Sequence, residues 1–238
     1  MSSTPAKIAG ALVGAARSAA HAADVVKWHA TSSATALARA LEPESEHRDV
    51  APPADLEAVC QDMRRAGYVE QPLWEMDTFP SPRRVWWRFC QKPSAEQKAA
   101  IEMLRIAWRR KPPTTHGPEP TYRPLIGDCQ SFAVLAAARL AKLSPTCDVG
   151  LIRILSVRGL RADGALFGHA VAAWQGRREP GWQVMSRAGR MGPYAGTREA
   201  VAAVCEAHGA SPLWWAELAW STLALMAHRQ YEREDGEV

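Results

Sequence analysis

Apolar positions along this chain fall into three regimes. From 5 to 41 they are sparse among alanines: Ile8, Leu12, Val13, Val25, Val26, Trp28, Leu37 and Leu41. That spacing predicts one or two weakly hydrophobic helices, which need the rest of the fold or a partner to pack against. The stretch 42–55, EPESEHRDVAPPAD, is charged and proline-bearing and reads as a linker. Asp55 is placed to cap a short helix over 56–66 that ends at Gly67. Residues 68–93 mix prolines and aromatics and predict an irregular crossing segment. Ser94 and Gln97 then form a capping-box pattern at the start of a helix with Ile101, Leu104, Ile106 and Trp108 on one side. The proline-dense stretch 111–124 predicts a loop long enough to serve as a rim or lid.

The middle of the chain changes period. FAVLAAARLAKL, after Cys129, predicts a helix to about Leu143. Three strand-like runs follow over 147–160, 165–175 and 182–187, joined by short turns, and they predict an antiparallel meander. Beyond them, 197–209 predicts a helix with Thr197 as N-cap. The run 211–233 predicts a longer, largely buried helix, capped by Ser211 and apolar on more than one side. Helices, then strands, then helices give an α+β class. The expected division is a helical N-terminal arm and linker over 1–50 and one domain over 51–238.

Composition narrows the function. Of 238 residues, 47% are hydrophobic and 23% charged, enough apolar material for a substantial core. A net charge of +4 with scattered lysines and arginines does not point to nucleic acid. The cysteines at 60, 90, 129, 147 and 205 contain no C-x-x-C pair. That argues against a zinc site and against a disulfide framework, and favours a reducing compartment. No H-E-x-x-H, phosphate-binding loop or dinucleotide fingerprint is present, so neither metal nor cofactor is expected. No apolar run reaches the length of a membrane span. The N-terminal stretch is a poor signal peptide because Arg17 interrupts it, so export is not expected.

One constellation carries chemistry. Gly127 and Asp128 lead into Cys129 at the start of a predicted helix, where the dipole and free N–H groups favour a thiolate. Asp128 is placed as the N-cap. His169, after Gly168 on the second strand, is a candidate proton acceptor on a separate element; glycine at 168 permits close approach of a substrate. Taken singly, each residue also has a plain core role.

Taken together, GDCQSFAVLAAARL, GHAVAAWQ and GWQVMSR resemble the three motif regions of the transglutaminase-like cysteine peptidase superfamily. The resemblance covers about residues 95–195. It implies a papain-like core in which a nucleophile helix packs on a small antiparallel sheet. It also implies Cys129 as nucleophile, His169 as general base, and Asp128, Gly168 and Trp182 on the substrate side. The family's orienting Asp falls at Ser186, which accepts a hydrogen bond but carries no charge; Gln183, on the opposite strand face, is the other candidate. The implied activity is peptidase, amidase or transamidase chemistry on a peptide or protein amide through an acyl-enzyme. The missing carboxylate also admits a weakened module that serves a larger assembly, such as a phage virion, and docks through residues 1–41. The corresponding location is cytoplasmic, or virion-associated for a phage protein.

Overall fold

A computed structural model describes residues 4–68, 79–92, 125–143, 147–186 and 189–231, with isolated helical residues between 95 and 106. The loop expected over 111–124 and the capping pair Ser94 and Gln97 lie outside the described residues. Among the described residues the fold is α+β, with five helices and a six-stranded antiparallel sheet.

The helices are α1 (Thr4–Ala40), α2 (Leu56–Arg65), α3 (Pro82–Cys90), α4 (Cys129–Ala141) and α5 (Thr197–Ala207). A 3-10 turn covers Glu44–Glu46, and β1 (Gly67–Tyr68) pairs in parallel with β2 (Leu125–Gly127). The large sheet contains β3 (Ile152–Arg161), β4 (Leu166–Gln175), β5 (Trp182–Ser186), β6 (Gly189–Tyr194), β7 (Ala210–Ala219) and β8 (Leu225–Gln230), in the order β6-β5-β4-β3-β7-β8.

The central strands of the sheet are buried on both faces. On one, Ile154, Ala170, Ala172, Trp174 and Met185 lie on the side of α4, and Ala216 and Leu218 join the same buried cluster. On the other, Leu155, Val157, Phe167, Val171, Ala173, Val184 and Trp215 pack against Ala200, Val201, Val204 and Cys205 of α5. α4 is buried around its whole circumference, with α2 and α3 on its far side. Its alanines let the helix approach the strands closely while Phe132, Leu135 and Leu140 fill the remaining space.

The expected helix over 211–233 is instead the hairpin β7–β8. Trp215 faces α5 whereas Ala216 and Leu218 join the buried cluster on the opposite face, so the run is apolar on both sides because the strand is covered twice. Thr197 does not cap α5; Gly196 holds that position without a side-chain bond, and the Thr197 hydroxyl is used elsewhere. The crossing segment contains a true helix, α3, capped by the Ser81 hydroxyl accepting from Arg84 N. Asp55 caps α2 as expected, accepting from Ala58 N at 2.7 Å.

Trp28 and Val50 belong to the same core cluster as α4, and Thr31 and Thr35 are buried. Asp24 fixes α1 to the sheet. Its Oδ2 accepts from Trp28 Nε1 (3.1 Å) and Trp214 Nε1 (3.0 Å) and lies 2.9 Å from His228 Nε2.

Candidate functional site

Gly127 turns the chain from β2 into α4 at φ +113°, where a side chain is strained and a Cβ would lie 2.7 Å from Ser131 Oγ. Asp128 follows as the N-cap: its buried carboxylate accepts from Ser131 N at 2.9 Å. Cys129 is therefore the first residue of α4, half-buried against the main core. Its thiol contacts Gln130 Oε1 at 3.6 Å. All five cysteines are free thiols.

His169 is carried on β4, as expected, but on the other side of the sheet. Alternation along the strand places it with Phe167, Val171 and Ala173 under α5, while Ala170, Ala172 and Trp174 face α4. Its ring lies 5.9 Å from that of Phe167 and 4.6 Å from that of His208, at the end of α5. Burial, with the charge of His208 acting in the same direction, lowers its pKa from 6.5 to about 4. No hydrogen bond joins His169 to Cys129 or to Ser186 among the described residues. The expected pairing of Cys129 with His169 is thus corrected: the strand period directs the imidazole to the face opposite the nucleophile helix.

Ser186, buried at the end of β5, shares the α5 face with Val184, and hence with His169. Gln183 points to the α4 face, opposite Trp174 in register. The strand period therefore separates Ser186 from Gln183 and puts Ser186 on the same face as His169. Gly168 is half-buried and paired with Arg158 on β3. Trp182 is half-buried on the α5 face, where it lines a cleft at the start of α5. Among the described residues, no group of three or more metal-ligating side chains converges, and no helix is long and apolar enough to cross a membrane.

Sequence reasoning missed the polar cluster lining that cleft. Glu217 lies within the apolar run WWAELAW, and its Oε1 accepts from Thr197 Oγ1 (2.7 Å) and Trp215 Nε1 (3.2 Å). Arg229 Nε stands 3.3 Å from the same oxygen. The available signal was a single carboxylate in an otherwise apolar segment, which a helical reading absorbs as one polar edge.

Comparison with known proteins gives no matching family model, no similar curated protein and no similar solved structure.

Proposed function

We propose that this chain is a transglutaminase-like module, with a papain-like core, that serves as a structural or interaction component of a larger assembly. In this reading Cys129–His169 catalysis does not operate. The observation that carries the reading is the seat of His169, packed against the rings of Phe167 and His208 on the sheet face opposite α4. An imidazole there cannot take the thiol proton, and the low pKa keeps it a weak base. The long α1 supplies the docking element. At 37 residues it extends for about 55 Å, and it carries Val26 and Leu37 exposed to solvent, with Leu41 exposed just beyond its end.

A second reading, thiol-dependent amide chemistry on a peptide or protein substrate, is favoured by one observation. Cys129 occupies the first turn of α4, where the dipole and the N-terminal N–H groups favour a thiolate and an oxyanion. This reading requires a base other than His169.

Site-resolved alkylation by iodoacetamide at neutral pH separates the two. The interaction reading predicts that Cys129 reacts no faster than a free thiol, with the same rate in His169→Ala. A rate enhanced at least about tenfold and lost in His169→Ala would restore the catalytic pair and overturn the proposal. Enhancement that survives His169→Ala supports the second reading.

A further inference from the structure

An open cleft of about 590 Å³ lies on the α5 face of the sheet, between the start of α5 and strands β7 and β8. It is on the opposite side from Cys129, and no role considered above uses it. Its floor holds a carboxylate beside apolar neighbours: Glu217 stands two residues from Trp215 on β7, and its side chain is 11% exposed. Placing a carboxylate in such a position is costly unless it is well paired. One oxygen is fully engaged, by Thr197, Trp215 and Arg229. The other, Oε2, takes none of these donors, and no hydrogen bond to it is made among the described residues. It is an acceptor held rigidly at the cleft.

The adjacent donor is also uncommitted. Arg229 sits beside Trp215 in the β7–β8 register and approaches Glu217 through Nε, and among the described residues its Nη groups make no hydrogen bond; its side chain is 59% exposed. An acceptor and a forked donor side by side match a ligand that offers a hydroxyl to each. The cleft has no dominant charge, since Arg198 and Arg229 are balanced by Glu199 and Glu217. That disfavours polyanions and polycations alike. Trp182 adds an aromatic wall, suited to the C–H face of a ring that is polar at its edge.

We propose that this cleft is a saccharide-binding site, in which Glu217 Oε2 and the Nη groups of Arg229 hold two neighbouring hydroxyls of a neutral sugar ring beside Trp182. Glu217 accepts from one hydroxyl and Arg229 donates to the next. Thr197 and Trp215 are positioning residues that fix the carboxylate.

The test is calorimetric titration of the full chain with cellotetraose, maltotetraose and the tetramer of N-acetylglucosamine, each to millimolar concentration. At least one is expected to bind saturably. Glu217→Gln turns the open acceptor into a donor and should weaken that binding about tenfold or more. Arg229→Met, at an exposed position, provides the same test should Glu217→Gln fold poorly; unchanged thermal melting shows that the loss is local. Absence of binding by all three sugars overturns the proposal, as does sugar binding that survives both substitutions. Acetyl-lysine amide and inorganic phosphate serve as charged probes. Glu217-dependent binding of either, in place of the sugars, assigns the cleft to a charged ligand and likewise overturns the proposal.

Discussion

Asp24 holds the N-terminal helix to the sheet, and its removal has a calculable cost. One oxygen serves three groups: the indoles of Trp28 and Trp214, and the ring of His228. The side chains are little exposed, 11% for Asp24 and 4% for His228, so solvent screening is slight. A hydrogen bond to a charged group contributes about 1.5–3 kcal/mol, but three donors sharing one oxygen each contribute less than that, roughly 1 kcal/mol. Asp24→Ala should therefore destabilise the fold by about 3 kcal/mol, read as a shift in the urea midpoint at constant slope. Burial raises the Asp24 pKa, but the His228 bond, the Arg158 and His228 charges and the Trp214 bond together outweigh it, and the net shift is downward. The folded value thus lies below the unfolded one. The contribution is fully present above the ordinary carboxylate pKa of 3.8 and is lost as pH falls through the lower folded value. Asp24→Ala should accordingly be least different from the parent at the acid end. A loss below about 1 kcal/mol at neutral pH would refute the view that α1 is clamped at this point.

Three further outcomes follow from other parts of the fold. Arg139, 6% exposed in its side chain, pairs with Asp62, reaches Ala51 O and lies over the Trp86 ring at 4.6 Å. Arg139→Met leaves the Asp62 carboxylate with only the exposed Arg65 at 3.9 Å and should cost about 3 kcal/mol in chemical denaturation. His169 is neutral in the fold, with its pKa lowered from 6.5 to about 4. Its depressed value favours the fold above pH 6.5, and that contribution is lost as pH falls towards 4, so the parent should lose up to about 3 kcal/mol relative to His169→Gln across that window. Cys205 is buried under α5, and burial alone pushes its thiol up to about 12. Site-resolved alkylation at neutral pH should find it protected until the protein unfolds, so prompt labelling would show that α5 opens readily.

The legible parts of the fold were those with one buried stripe or a strong local signal. Asp55 announced α2, and Asp128 announced α4 together with the turn at Gly127. The run at 211–233 misled because burial on both faces removes the period-two alternation, and a doubly covered strand then resembles a buried helix. The same degeneracy concealed the direction of His169. Phe167, Val171 and Ala173 are apolar on its own face, and Ala170, Ala172 and Trp174 are apolar on the other. The alternation shows which residues share the side of His169 but not which helix covers that side. Only the placement of α4 and α5 decides this, and it depends on contacts between distant segments that no local pattern encodes. The cleft at Glu217 was hidden for a related reason: Thr197, Glu217 and Arg229 converge only once 211–233 becomes a hairpin.

The central claim is that His169 faces α5 rather than Cys129, and the titration of its ring by NMR tests this most directly. The structure predicts a midpoint near 4, unchanged in Cys129→Ser. A midpoint at or above the ordinary histidine value that falls in Cys129→Ser would reveal a thiolate–imidazolium pair and contradict the account.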